Sequence, residues 1–319
     1  MEESAGTGSG SEGGTGGAEP VALPESLLAR YRKFSLYNSP YAAHDRGRAV
    51  DLYPESNVGV SPVAGEVLDT RTVGCPDREY AADRDHLIVV DAGDRVARVL
   101  HVDPAVEAGD EVAVGDPLGE MVRSGFFGRW VDNHVHLEFR DRGRDPYRAS
   151  GSLPLVADCA VTPLAWDGTG TVVETGPNHA VLDAPTPPEG GVEGFTAVAD
   201  DDGRPLDGGL AHYTGGGVPG ATAAGAEGGV DPDTGTGGDA VSMLGTRVGV
   251  RAGRHVDWAD VDVLANGERI TGLSLFAARS GAEAGTKLVT RPDAGDPTFA
   301  VGDEVTVRIV AGDDPVRLG

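Results

Sequence analysis

Short runs in which apolar and polar positions alternate, set off by turn residues, recur along most of this 319-residue chain. That pattern predicts strands rather than helices. In the first half the runs are GEVLDTRTV (65–73), HLIVVDAG (86–93), RVARVLHV (95–102) and NHVHLEFR (133–140). Gly109-Asp110 and Gly115-Asp116-Pro117 mark tight turns. Helical periodicity is weak, and only Pro24 to Phe34, PESLLARYRKF, predicts a short helix. Past Pro154, CAVTPLAW, GTVVETG and HAVLDAP continue the strand pattern, and from Thr246 to Val310 it resumes with RVGVRAG, ADVDVLANGERITGLSLFAA, KLVTR and EVTVRIV. Asn266-Gly267 predicts a hairpin turn within that stretch. Residues 186–240 are rich in glycine, acid and proline, which predicts a linker or a long mobile loop. The expected organisation is an all-β chain with a Gly/Ser/Glu-rich disordered tail over 1–22, an antiparallel β-domain over 23–155 and a second, β-sandwich-like domain over 156–319.

Composition sharpens this picture. The 49 glycines and the 5% aromatic content suit turns and strands better than long helices. Asp and Glu number 51 against 26 Lys and Arg, a net charge of −25, and the only lysines are Lys33 and Lys287. Such a surface excludes nucleic acid, which requires cationic contacts to phosphate, and disfavours anionic membranes. It resembles the acid-rich surfaces of proteins from salt-accumulating organisms, and so says little about substrate. Cys75 and Cys159 are too few for a disulfide framework or a thiolate zinc site. The opening MEESAGTGSGSEGGTGGAEP has neither the basic start nor the apolar core of a secretory signal. No apolar run reaches the ~18 residues of a membrane span. The expected location is the cytoplasm.

The run DNHVHLEFR (132–140) carries the candidate chemistry. On a strand His134, His136, Glu138 and Arg140 share one face, and Val135, Leu137 and Phe139 share the other. Two imidazoles at this spacing stand roughly 7 Å apart at Cα, so both reach one cavity without having to bind one ion. Further candidates lie upstream in HDRGRAVDLYP, where His44 and Asp51 flank a turn at Gly47. His101 ends a predicted strand. Two imidazoles and a carboxylate would leave one tetrahedral position of zinc open. Taken singly, each residue has a plainer reading: a solvated strand face for His134 and His136, a turn cap for Asp51, a loop position for His44, a strand end for His101. Glu138 is expected behind a ligand or at the surface. His86, His179, His212 and His255 have no partner pattern and are expected at surfaces or turns. The acidic runs 200–203 and 231–239 lack a closing glutamate and are expected to be solvated turns rather than calcium loops.

Four segments in order resemble the lysostaphin/LytM-type zinc endopeptidases, the duplicated hybrid motif peptidases, over roughly residues 40–150. They are GRAVDLYP, SPVAGEVLDT, VLHVDPAVEAGDEVAVGDPLGE and DNHVHLEFR. The resemblance implies a duplicated-hybrid-motif β-sandwich in which His44, Asp51 and His136 hold Zn2+. It also implies that His134 and His101 are catalytic, and that a peptide bond is hydrolysed. The family's usual H-x-x-x-D spacing would place the first ligand at Gly47, whereas His44 lies seven residues before Asp51; Asp45 is an alternative. The expected function is a zinc metalloendopeptidase acting on a peptide substrate. The alternative is an inactive peptidase-like module that binds a protein partner. A lipoyl- or biotinyl-type carrier shares the turn pattern but needs a lysine on a hairpin, and none lies between Lys33 and Lys287.

Overall fold

The structure is a computed structural model that describes residues 19–44, 46–188, 191–220, 238–279 and 285–318. The tail up to residue 18, Asp45 and residues 231–237 of the second acidic run therefore lie outside the described residues. Within them the protein is nearly all β, as the alternating pattern predicts. Its strands gather into sheets of ten, twelve, three and two members.

The ten-stranded sheet carries the histidine strand near its middle. Its order is Val161–Leu164, Phe195–Val198, Ala277–Arg279, Lys33–Ser35, Val50–Tyr53, Val135–Asp141, Arg95–Leu100, Arg84–Asp91, Gly65–Gly74 and Glu111–Val112. The sheet thus draws strands from both halves of the sequence. Phe34 meets Phe195 edge to face at 4.8 Å across that junction. The three-stranded sheet of Val58–Val60, Pro117–Met121 and Val102–Pro104 supplies Val60, Val102, Leu118 and Met121 to the core that also takes Val135, Leu137 and Phe139. A sandwich results, and the apolar face of the histidine strand is buried in it as the alternation requires. The twelve-stranded sheet organises the C-terminal half around a second core that includes Trp258, Leu273 and Leu288. Its Val261–Ala265 and Glu268–Ile270 strands turn at Asn266 (φ 53°) and Gly267 (φ 87°), the positive-φ pair of a two-residue hairpin.

Two sequence expectations are corrected. The helix expected over Pro24 to Phe34 is a single turn, Glu25–Leu28. Past it the Arg32 amide donates to the Tyr53 carbonyl at 2.9 Å and Lys33–Ser35 becomes a strand, because sheet edges on both sides offer hydrogen bonds. The 186–240 segment is not simply a linker, since Phe195–Val198, Asp207–Leu210 and Gly215–Gly217 are buried strands within it. The glycines there fit a tight packing. A Cβ on Gly216 would lie 2.6 Å from Trp258 Cε2 and 2.8 Å from the Asp207 carbonyl oxygen. His212 lies in a turn, as expected, and is fully buried there, with ring centroids 5.4 Å from Trp130 and 4.4 Å from Tyr213.

Candidate metal centre

Strand register brings the first two residues together. Asp51 sits directly opposite His136 in the antiparallel pair of Val50–Tyr53 and Val135–Asp141. His136 Nδ1 is 2.9 Å from Asp51 Oδ1. His44 arrives from the loop between Lys33–Ser35 and Val50–Tyr53 and is buried. Its Nδ1–H donates to the Leu36 carbonyl at 3.0 Å, so Nε2 faces inward, 3.2 Å from Asp51 Oδ1 and 3.3 Å from His136 Nδ1. The seven-residue spacing is therefore bridged by the loop, and one ligand-type atom from each of His44, Asp51 and His136 lies within 4.8 Å of the others. His134 Nε2 also approaches Asp51 Oδ1, at 3.3 Å. Burial alone would raise the Asp51 carboxyl, but the imidazoles of His134 and His44 hold it well below the usual carboxylate range.

A polar layer behind the strand orients His136. Its Nε2–H donates to Glu138 Oε1 at 3.0 Å, and Glu138 in turn binds Arg98, Ser152 and, at 3.2 Å, Arg140. All of these are buried, so the histidine face is not a solvated strand face. Burial works against a charged His136, yet Asp51 and Glu138 raise its pKa to about 9. Displacement of the Nδ1 proton by a cation would leave the imidazole fixed by Glu138, the arrangement seen where a carboxylate orients a metal-bound histidine.

His101 stands on the other side of the cavity. It occupies the left-handed region at φ 72°, where the chain leaves Arg95–Leu100 in the ten-stranded sheet and enters Val102–Pro104 in the three-stranded one. A non-glycine residue held there is a recurrent feature of functional sites. Its Nδ1–H donates to Asp85 Oδ2 at 2.6 Å, and Ser124 Oγ–H donates to the same oxygen at 2.6 Å. Burial lowers the His101 pKa to about 4 despite Asp85, so the ring is neutral and its Nε2 carries the lone pair. The His101 ring lies 5.2 Å from that of His134 and 5.4 Å from that of His136.

His44, Asp51, His101, His134 and His136 all line one cavity of about 390 Å³. Tyr213, from the C-terminal half, helps to wall it and also lines a neighbouring cavity of about 610 Å³. The sequence reading did not find Asp85, Ser124 or Tyr213. A signal for Asp85 was present, because it shares a strand face with the buried Leu87 and Val89, an inward position where a carboxylate requires a partner. Of the other histidines, His86, His179 and His255 pair with acids, Asp103, Glu174 and Asp257. Asp200 caps its own turn by accepting from the Asp202 and Arg204 amides.

No curated protein matches the chain. Among solved structures, a chain of the SpoIIQ-SpoIIIAH pore forming complex aligns at 19% identity and a TM-score of 0.21, covering 31% of this chain and 54% of that one. This protein thus spans about half the length of that chain. The NMR solution structure of lysostaphin aligns at 13% identity and a TM-score of 0.25, covering 90% of this chain and 100% of that one. Both similarities are weak, and neither establishes a fold or an activity for this protein. Two family models match: the N-terminal domain described as Domain of unknown function (DUF8155) over residues 22–157, and the corresponding C-terminal domain over 162–310. Together these cover most of the sequence, and the chain belongs to the DUF8155 family.

Proposed function

We propose that this protein is a zinc-dependent endopeptidase whose ion is held by His44 Nε2, an Asp51 carboxylate oxygen and His136 Nδ1. The observation that carries the reading is the convergence of those three atoms within 4.8 Å of one another, from a loop and two paired strands. Two imidazoles and one carboxylate are a donor set that suits zinc and leaves an open position. The donors are also prepared for it, since the Leu36 carbonyl and Glu138 occupy the opposite ring nitrogens of His44 and His136. A bound Zn2+ would lower the pKa of water and polarise a carbonyl oxygen. The chain supplies the rest. Neutral His101, fixed by Asp85, offers Nε2 to accept a proton from the attacking water and return it to the leaving amine. His134 brings a second imidazole to the same centre, where it would stabilise negative charge growing on the carbonyl oxygen. A peptide lying in the cavity would be screened from bulk water by Phe127 and Tyr213.

A second reading has one observation in its favour. Asp51 Oδ1 already accepts the His136 Nδ1–H at 2.9 Å, which would satisfy it in an ion-free module that binds a protein partner. In either reading the partner is a peptide or protein, not nucleic acid or membrane, and a cytoplasmic location is part of the proposal. Among the described residues no helix is long and apolar enough to cross a membrane.

Metal analysis of the full chain after exposure to zinc and dialysis tests the proposal. One zinc per chain is expected, lost in His136→Ala and in Asp51→Ala but kept in His134→Ala. His134→Ala should hydrolyse a peptide panel about 10²- to 10⁴-fold more slowly than wild type. A wild-type chain that retains no zinc would overturn the metal centre. Equal rates for wild type and His134→Ala would leave a binding module.

A further inference from the structure

The two lysines of this arginine-rich chain meet at one carboxylate. Lys33 Nζ lies 2.6 Å from Asp132 Oδ2, and Lys287 Nζ lies 3.1 Å from Asp132 Oδ1. Lys33 comes from the ten-stranded sheet and Lys287 from the twelve-stranded sheet, so the carboxylate joins the two halves. Both lysines are buried, and Arg32 Nη2 adds a more distant contact to Asp132 at 3.5 Å. Lys33 also lies over the rings of Tyr53, at 4.8 Å, and Phe276, at 4.6 Å. Buried ammonium groups require a fixed counter-charge, and Asp132 supplies it.

Asp132 is also two residues before His134. Its backbone carbonyl accepts the His134 Nδ1–H at 2.9 Å, which turns Nε2 toward Asp51. It lies near the end of the 122–134 segment, which contains no strand or helix. Elsewhere that segment is tied down by Arg123, whose guanidinium donates to the carbonyls of Gly128, Arg129 and Val131. Phe127, from the same segment, stacks on the His134 ring at 4.2 Å. Without an anchor at Asp132 the carbonyl that orients His134 would belong to an irregular segment with no sheet partner.

We propose that Asp132, clamped by Lys33 and Lys287, is a positioning residue that fixes the imidazole of His134, and that this is a contribution of the C-terminal half to the site. Only the catalytic use of His134 rests on the peptidase reading. The clamp concerns the ring's orientation with or without an ion. The choice of lysine fits, because two compact ammonium groups can each take one oxygen of the same carboxylate.

The test is 15N NMR of the histidine rings in the full chain, with and without one equivalent of Zn2+. The His134 signals are assigned by their loss in His134→Gln. In wild type the His134 Nδ1 should carry a proton. Lys287→Met should lower the ratio of Nδ1–H to Nε2–H by about tenfold, the loss of one hydrogen bond, and Lys287→Arg should restore part of it. A folded Lys287→Met chain, with the other histidine signals unmoved and the wild-type ratio kept, overturns the clamp. If Lys287→Met does not fold, Asp132→Asn replaces it, with the same expected shift and the same overturning result. Zinc content measured on the same samples separates the two proposals: a shifted ratio without zinc removes the peptidase and leaves the clamp.

Discussion

Asp85 shows how much of this site depends on residues that touch no ion. It is fully buried, and its Oδ2 accepts from both His101 Nδ1–H and Ser124 Oγ–H. Burial would push its carboxyl up, but the His101 imidazole and those hydrogen bonds hold it down at about 2. An ionised Asp85 dictates which His101 nitrogen bears the proton. An asparagine of the same shape can donate as well as accept, which frees the ring to present Nε2–H to the cavity. Asp85→Asn should therefore keep its zinc but lose hydrolysis of any cleaved peptide by about 10²- to 10⁴-fold, in a kinetic assay on samples of matched zinc content. An unchanged rate would reduce Asp85 to a packing role. The sequence made His44, Asp51, His101, His134 and His136 visible through their residue types and order. It could not reveal that the polar face of the histidine strand is buried, because Arg98 and Ser152 enter from positions with no spacing relation to it. It left Glu138 either behind a ligand or at the surface, and the structure buries it against His136 Nε2.

At the scale of single elements, readability followed side-chain pattern. Val135–Asp141 and the Asn266-Gly267 hairpin were plain, one from alternation and the other from turn chemistry. Gly215–Gly217 was not, because three glycines carry no alternation and read as a linker. The strand exists because its neighbours leave no room for side chains. It pairs with Asp207–Leu210 on one side and His255–Trp258 on the other, with the Trp258 ring lying against Gly216. Gly216→Ala would set a methyl 2.6 Å from Trp258 Cε2 and 2.8 Å from the Asp207 carbonyl oxygen. The Trp258 ring is itself buried in the C-terminal core and has little freedom to withdraw. The substitution should cost about 1–3 kcal/mol of stability, read as a lower denaturation midpoint at unchanged slope. A variant as stable as wild type would mean that the strand yields, and that its glycines are incidental.

At the scale of the whole molecule, the family boundary near residue 160 does not separate the sheets. The ten-stranded sheet continues into Val161–Leu164, Phe195–Val198 and Ala277–Arg279, and a sequence read domain by domain cannot anticipate strands exchanged across such a boundary. Asp207 is a second buried link between the halves. Its Oδ1 lies 2.5 Å from Ser35 Oγ, and its Oδ2 accepts the Leu36 amide at 2.6 Å. Burial pushes its carboxyl up to about 7 from an ordinary 3.8, against the opposing effect of those hydrogen bonds. Between these two values the folded protein holds a proton that the unfolded chain has released. Its contribution to stability is therefore complete below about pH 4, falls as pH rises and is lost above about pH 7, a span on the order of 4 kcal/mol. Asp207→Asn keeps an acceptor for the Leu36 amide and a donor for Ser35 Oγ without a charge to bury. Unfolding in urea at about pH 4, 5.5 and 7.5 should show the variant gaining on wild type as pH rises, and surpassing it at the highest value. Parallel stability curves for the two proteins would mean that Asp207 is ionised in the folded state throughout, and that its hydrogen bonds outweigh its burial.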